Sequence, residues 1–152
     1  MAKIIQHQFF YPNPPELVWE YLTKPELIAQ WLMKNDFEPT IGHEFNFHAS
    51  PMPDMDFDGV FHCKVLEIVP FKKLSYSWNF GPGDGSFTTS VVNWTLTEKE
   101  NGTDLLLIHR GFEGSNNFLS MFNSMEKGWL ELVQKLLKVI NNNATANGTT
   151  QA

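Results

Sequence analysis

The sequence has few of the residues that several functional classes require. Its single cysteine, Cys63, excludes an internal disulfide and is typical of a reducing compartment. Its 11 lysines and arginines form no cluster and are outnumbered by 17 acidic residues, which disfavours nucleic acid and anionic membranes as partners. No stretch approaches the roughly 18 apolar residues of a membrane span, and residues 1–7 contain no apolar signal region. These absences predict a cytoplasmic protein.

Three motifs resemble metal or phosphate sites, but each is incomplete. Asp54–Gly59 has the alternating acids of a calcium loop, yet Val65 stands where the bidentate glutamate belongs. His43 and His48 are five residues apart on a predicted strand, so they face opposite ways and cannot share a metal. The loop Gly81–Gly85 lacks the lysine of a phosphate-binding loop and precedes a strand. We therefore predict no metal site and no cofactor.

Catalytic nucleophiles are equally hard to identify. Cys63 follows His62 on a predicted strand, so the two side chains face opposite ways, and we expect a buried structural cysteine. One alternative stays open: the fold brings together two carboxylates that are distant in sequence, and they act as an acid–base pair. The sequence alone assigns no catalytic residue.

Aromatic residues, in contrast, are abundant. The chain has 152 residues, of which 42% are hydrophobic and 14% aromatic, and this composition suits one domain with a well-filled core. Its 13 phenylalanines and 5 tryptophans exceed what a minimal core needs. The excess favours a cavity lined by aromatic side chains.

Strands and two short helices are predicted for the first two thirds of the chain. The opening strand is Lys3–Tyr11, and the first helix is predicted to be capped by Asn13. Thr23 and Glu26 have the spacing of a capping box for the second helix. The remaining strands are predicted at His43–Ala49, Val60–Val69, Leu74–Asn79, Thr88–Thr97 and Leu105–Phe112.

The alternation within these strands predicts which side chains face inward. Phe45 and Phe47 share one face, and so do Tyr76 and Trp78, while Trp94 is inward on the next strand. Asn101-Gly102 is a strong hairpin signal. The inward face of the last strand stays open, because two sets compete: Leu105, Leu107 and His109 against Leu106 and Ile108.

A stripe of large apolar residues follows the predicted strands. It repeats at spacings of three and four, the period of one helix face, and comprises Phe118, Phe122, Met125, Trp129, Leu132, Leu136 and Ile140. At roughly 1.5–3 kcal/mol per buried large side chain, the stripe contributes on the order of 10–20 kcal/mol before entropy is subtracted. We predict one continuous helix of at least five turns, ending at about Asn141, and a flexible polar tail over residues 142–152.

Gly128 lies in the middle of this predicted helix. An interior glycine lowers the stability of a helix by about 1 kcal/mol relative to alanine, so we expect a structural feature that compensates for this loss. Either the sheet or a loop approaches the helix closely at Gly128, or the missing side chain leaves space beside Trp129 for a ligand. Of these two explanations we favour close packing.

The order of several short motifs resembles the START-like helix-grip superfamily, also called SRPBCC. Within it, the chain is most similar to the branch named after the activator of the Hsp90 ATPase, over residues 4–140. The motifs are Pro15–Trp19, Leu22–Leu27, Gly42–Phe47, Glu67–Pro70, Leu74–Trp78, His109–Phe112 and Gly128–Trp129. The resemblance implies an α+β helix-grip fold. A curved antiparallel sheet would wrap around the long C-terminal helix, with two short helices after the first strand, in a single domain over residues 1–141.

The resemblance also implies a cavity between sheet and helix. Members of the superfamily bind lipids, hormones or polyketides, and some are cyclases or dehydratases. We predict a non-enzymatic protein that binds a small hydrophobic or aromatic molecule there. The predicted cavity residues are Phe45, Phe47, Tyr76, Trp78, Trp94, His109, Phe122, Met125 and Trp129.

Three alternatives stay open. A cyclase or dehydratase would use His109 as its base and Tyr76 as a hydrogen-bond donor. A chaperone partner or other interaction module would use the acidic surface or the loop Met52–Asp58. The eukaryotic activator carries a further N-terminal domain for which this chain has no room, so direct chaperone stimulation is not expected. In the third alternative the aromatic residues simply fill a closed core. A monomer and a homodimer fit all of these.

Overall fold

The chain forms a curved antiparallel sheet against which a long C-terminal helix packs, as seen in a computed structural model. The structure describes residues 3–52, 54, 57–113 and 118–151, and the side chains among them except those of residues 3, 112–113, 118–121 and 144–151. Two short helices follow the first strand. The elements are β1 Lys3–Tyr11, α1 Pro15–Thr23, α2 Pro25–Trp31, β2 Lys34–Asn35, β3 Glu44–His48, β4 Val60–Val69, β5 Lys73–Ser77, β6 Thr89–Lys99, β7 Gly102–Glu113 and α3 Phe118–Gln151. The helix-grip prediction is confirmed.

The strands lie in the order β1-β7-β6-β5-β4-β3-β2, and every neighbouring pair is antiparallel. All neighbours but one are consecutive in sequence. The exception is β1, which pairs with β7 from Lys3 opposite Gly111 to Tyr11 opposite Thr103. The first and last strands are thereby joined along their length.

The hairpin between β6 and β7 forms where Asn101-Gly102 predicts it. Lys99 pairs with Gly102, and the two residues between them, Glu100 and Asn101, have φ of 51° and 67°. Positive φ at both central residues is the signature of a type I′ turn. Gly102 itself is needed for a different reason, because an added Cβ would lie 2.5 Å from the backbone oxygen of Tyr11.

The two short helices form as predicted, but their caps differ from the prediction. The N-cap of α1 is Pro14, so Asn13 lies one residue too early to cap the helix, and its side-chain oxygen is buried without a partner among the described residues. Thr23 belongs to α1, where its hydroxyl donates to the carbonyl of Trp19 at 2.7 Å. Lys24 therefore takes the N-cap position of α2.

Helix α3 is continuous from Phe118 to Gln151 and extends beyond the predicted end at Asn141. Trp129 is 2% exposed, as predicted, although Val133 takes a buried place beside a half-buried Leu132. The hydroxyl of Tyr11 in β1 donates to the carbonyl of Val133 at 2.7 Å and so fixes the helix to the sheet. The side chain of Phe118 lies outside the described residues, and the flexible tail stays a prediction.

The inward face of β7 is now assigned. Leu105, Leu107 and His109 are buried against the helix side, whereas Leu106 and Ile108 are half-buried on the other face. Because β7 is paired on both sides, with β1 and β6, and His109 points toward the helix, His109 is buried in the core, where Trp129 of α3 contacts it.

Candidate functional site

A cavity of about 150 Å³ lies between α3 and the part of the sheet formed by β4 and β5. One wall comes from α3. The opposite wall comes from β4, the residue directly after β5, the segment after α2 and the loop before β4. The lining residues are Met33, Met52, Phe61, Trp78, Ser124, Met125, Gly128, Trp129 and Leu132. Among the described residues, the side chains that line the cavity are therefore apolar apart from that of Ser124 and the two indoles.

Gly128 borders this cavity and makes no close contact. A Cβ added to Gly128 would meet no atom within 4 Å outside the local helix backbone and the neighbouring residues. Our preferred explanation, close packing of the sheet or a loop, is therefore wrong. The missing side chain instead leaves open space beside Trp129, which is the second explanation that the sequence allowed.

Three methionines of the described part of the chain contribute to the lining. Met33 and Met52 are half-buried, and Met125 is buried on α3. Methionine has three rotatable bonds and a polarisable sulfur, so it adapts to irregular apolar shapes. This part of the wall can adjust to a guest without disturbing the strands behind it.

Only part of the predicted cavity set lines this cavity. Trp78, Met125 and Trp129 do, whereas the other six predicted residues are buried without appearing in its lining: Phe45, Phe47, Tyr76, Trp94, His109 and Phe122. Several of these rings fill the concave face next to the cavity, with centroids 5.3 Å apart for Phe45 and Tyr76 and 5.4 Å apart for Phe45 and Phe47. A filled core thus describes one half of the concave face. Direct contact between these six residues and a ligand stays a prediction.

His109 is held in a chain of hydrogen bonds within that core. The indole N–H of Trp129 donates to Nδ1 at 2.9 Å, so Nδ1 carries no proton. Nε2 then carries it and donates to the hydroxyl of Ser90 at 2.8 Å, while Ser90 donates to the carbonyl of Trp78 at 2.5 Å. Burial lowers the pKa of His109 to about 3, so the imidazole is neutral.

This arrangement does not favour His109 as a general base. A base must direct a lone pair at a substrate proton, and the lone pair of Nδ1 is directed at Trp129. The second residue of the enzyme hypothesis, Tyr76, accepts a hydrogen bond from the indole of Trp94 at 2.9 Å, and burial raises the pKa of its phenol. Neither group lines the cavity.

Sequence reasoning missed five of the lining residues: Met33, Met52, Phe61, Ser124 and Leu132. The one signal that pointed to them was Gly128, since a glycine within an apolar helix marks either a contact or a gap. Met33 and Met52 lie outside the regular elements that surround the cavity, and no periodicity predicts where such segments meet a helix.

Among the described residues, no three histidine, cysteine, aspartate or glutamate side chains come close enough to hold a metal ion. Met55 and Asp56 of the incomplete calcium loop lie outside those residues, so the absence of a metal site stays a prediction. No helix in the described part of the chain has the length and apolar composition to cross a bilayer.

Known proteins share this fold and sequence pattern. The family model described as Activator of Hsp90 ATPase homolog 1-like protein matches residues 12–141. Protein MLL2253 from Mesorhizobium loti is 37% identical, with a TM-score of 0.80 over 92% of this chain and 98% of that chain. DynU16, from the dynemicin biosynthetic locus, is 25% identical with a TM-score of 0.72, and the match covers 92% of this chain but 48% of DynU16.

The solution structure of the Aha1 dimer from Colwellia psychrerythraea is similar in fold alone. It is 18% identical, with a TM-score of 0.70 over 91% of this chain and 96% of that chain. No curated protein matches the chain.

Proposed function

The chain belongs to the family of Activator of Hsp90 ATPase homolog 1-like proteins, and on this premise we propose that it binds one compact apolar or aromatic molecule in the cavity beside α3. The observation that carries the proposal is Gly128. An interior helical glycine costs about 1 kcal/mol relative to alanine. Here that loss is accompanied by open space against Trp129 rather than by a packing contact.

The size of the cavity limits the ligand. The cavity opens to solvent, and its volume of about 150 Å³ is large enough for benzene. The adaptable methionine wall extends that range to small fused rings. Indane, with nine carbon atoms, is a suitable probe. Micromolar binding corresponds to about 8 kcal/mol, or roughly 0.9 kcal/mol per carbon atom, which is below the ceiling of about 1.5 kcal/mol for the best small ligands.

Binding is favoured over catalysis because few polar groups converge on the cavity. Among the described residues of the lining, Ser124, Trp78 and Trp129 are the ones with polar side-chain groups, and none of these groups is a carboxylate or an imidazole. His109, the base of the enzyme hypothesis, is neutral, and both of its ring nitrogens take part in hydrogen bonds. A cyclase or dehydratase would need an acid or base, which the described residues of this lining do not supply.

An interaction module is the second alternative that we do not favour. The exposed large apolar residues of the described chain are divided among several elements and turns: Ile4 and Phe10 on β1, Leu66 and Val69 on β4, Phe71 in the turn after it, Ile41 and Phe87 in loops, and Leu130 on α3. Stable interfaces instead concentrate apolar residues in one patch. Part of the loop Met52–Asp58 lies outside the described residues. We further propose a cytoplasmic protein, monomeric or homodimeric, whose single cysteine is buried and reduced.

The proposal is tested by ligand binding to the intact protein. Native mass spectrometry of protein purified from its host should show a co-purifying small molecule. Indane should quench or shift tryptophan fluorescence with a micromolar Kd, because Trp78 and Trp129 line the cavity.

A matched pair of variants then locates the site. Met125→Trp fills the cavity and should abolish indane binding in calorimetry while leaving the thermal transition nearly intact. Leu130→Trp places the same residue on the exposed side of the same helix, where the leucine is 38% exposed, and should leave binding unchanged. If the parent protein binds no probe and Met125→Trp unfolds it, the cavity is closed core and the interaction module becomes the better hypothesis.

A further inference from the structure

We propose that two copies of this chain form a dimer by pairing their β1 strands antiparallel, edge to edge, about a two-fold axis at His7. Strand β1 lies at one end of the sheet, so only one of its two long edges is paired, and its partner there is β7. Among the described residues, the backbone of β1 forms no hydrogen bond with the backbone of any other element. We call the unpaired side of β1 the free edge.

The hairpin between β6 and β7 determines which residues of β1 face the free edge. Lys99 and Gly102 close a two-residue turn and exchange both backbone hydrogen bonds, so the even-numbered residues of β7 bond to β6. In agreement, the even-numbered residues of β6 bond on its other side, as the N–H of Leu96 does with the carbonyl of Lys72 at 2.8 Å. The odd-numbered residues of β7 then bond to the odd-numbered residues of β1. The even-numbered residues of β1 therefore direct their backbone N–H and C=O groups to the free edge: Ile4, Gln6, Gln8 and Phe10.

The free edge lacks the features that usually prevent sheet edges from pairing. Natural edge strands are kept short, or carry prolines, charges or bulges. The other end of the sheet follows this rule, because β2 has two residues and one of them is Lys34. Strand β1 instead has nine residues without a proline or an acid, its single lysine is its first residue, and its register with β7 contains no bulge. It is therefore long and regular enough to accept another strand.

The sequence of β1 indicates that this other strand is a second copy of β1. Its polarity is symmetric about His7, since a glutamine and then two apolar residues follow in both directions. An antiparallel partner with His7 opposite His7 places Ile4 of each copy against Phe10 of the other, and Gln6 against Gln8. These four side chains are exposed on the outer face of the sheet, where like residues then meet like.

The backbone groups of the free edge select the same register. With His7 opposite His7, each even-numbered residue of β1 faces an even-numbered residue of the other copy. The four hydrogen-bonded pairs that result have two bonds each, so all the N–H and C=O groups of both free edges find partners. A shift by two residues would leave one such residue of each copy unpaired, and a shift by one would place even-numbered residues against odd-numbered ones.

An interface of this kind does not require one contiguous apolar patch. Its affinity comes mainly from backbone hydrogen bonds, as when an extended peptide adds to a sheet. Because the same edge of both copies is used, pairing occupies both free edges of β1 and the assembly stops at a dimer. No residue of β1 is among those that line the cavity beside α3, so the inference does not depend on the proposed function.

The first test changes the charges at positions 6 and 8, which the register places opposite each other. Analytical ultracentrifugation of the parent protein should give a dimer, with twice the chain mass of 17.5 kDa. The double variant Gln6→Lys, Gln8→Lys should lose the dimer, because like charges then face each other across the axis. Gln6→Glu, Gln8→Lys is the matched control and should keep the dimer. Both changes affect exposed side chains, so circular dichroism should show the parent fold in each variant.

A second measurement identifies the strand that pairs. Within one chain, Ile5 and Phe9 are about 13 Å apart along β1. In the proposed dimer, Ile5 of one copy and Phe9 of the other form a non-hydrogen-bonded pair with their Cα atoms about 4.5 Å apart. NMR spectra of the parent protein should therefore show a nuclear Overhauser effect between the α protons of Ile5 and Phe9. The backbone amides of Gln6 and Gln8 should exchange with solvent slowly in the parent protein and rapidly in the double-lysine variant.

Three results would overturn the inference. The first is a monomer at all concentrations up to that of the NMR sample, which would leave the free edge to a different partner or to none. The second is a dimer that lacks the contact between Ile5 and Phe9, since another surface would then hold it together. The third is a dimer that persists in the double-lysine variant. Indane binding should be the same in all three proteins, because Gln6 and Gln8 do not line the cavity.

Discussion

Replacing Gly128 by alanine should make the protein more stable. Alanine is favoured over glycine in a helix interior by about 0.8–1.0 kcal/mol, and this gain is normally lost where the new methyl group clashes. At Gly128 the added Cβ meets nothing within 4 Å beyond its local helix backbone, so we expect nearly the full gain. For a domain of this size, 1 kcal/mol corresponds to a rise in Tm of about 2–4 °C.

The assay is urea unfolding followed by circular dichroism, with the free energies of unfolding compared at constant m-value. Gly111→Ala is the control of opposite sign, because Gly111 has φ of 111° and an added Cβ would lie 2.9 Å from Cα of Ser90. Gly128→Leu should keep the parent stability but fill the cavity and abolish indane binding. A loss of stability in Gly128→Ala would mean that something packs against this position, and the explanation of the cavity by Gly128 would be refuted.

Two further predictions concern buried titratable groups. Between pH 6.5 and pH 3, unfolded His109 binds a proton that the folded imidazole, with its pKa lowered to about 3, does not. The free energy of unfolding should therefore fall as the pH falls through this window, by up to about 1.4 kcal/mol per pH unit. In urea unfolding, the midpoint should depend less steeply on pH in His109→Gln than in the parent protein. An equal pH dependence in the two proteins would contradict this. Cys63 is 5% exposed and burial raises the pKa of its thiol, so it should react with a thiol reagent only as fast as the protein opens; rapid labelling of the native protein would contradict this.

Much of the architecture could be predicted because it rests on local periodicity. The two-residue alternation that places Phe45 and Phe47 inward needs only their own strand, and the three-and-four spacing from Phe122 to Ile140 needs only its own helix. The β6–β7 turn likewise needs only the Asn-Gly pair. The two cap predictions were wrong. Asn13 and Thr23 have side chains suited to capping, but the helices begin at Pro15 and Pro25, which makes Pro14 and Lys24 the N-cap residues.

The candidate site was less predictable because it depends on volumes that no local pattern contains. Alternation correctly places Trp78 and Trp94 inward, but it cannot say whether neighbouring rings fill the space between them. That outcome depends on where Met33 and Met52, which precede and follow β3 in sequence, approach α3.

The pairing of β1 with β7 determines when this protein can finish folding. During synthesis, β1 is the first strand to leave the ribosome and β7 is the last, with five other strands and two helices between them. The consecutive hairpins from β3 to β7 can form as they emerge, but β1 waits as an unpaired strand carrying Ile4, Ile5, Phe9 and Phe10. Its docking also supplies Tyr11, which holds α3. The nascent chain therefore carries a segment exposed to aggregation until β7 has been made, and the cavity beside α3 can take its final shape only after β1 and β7 have paired.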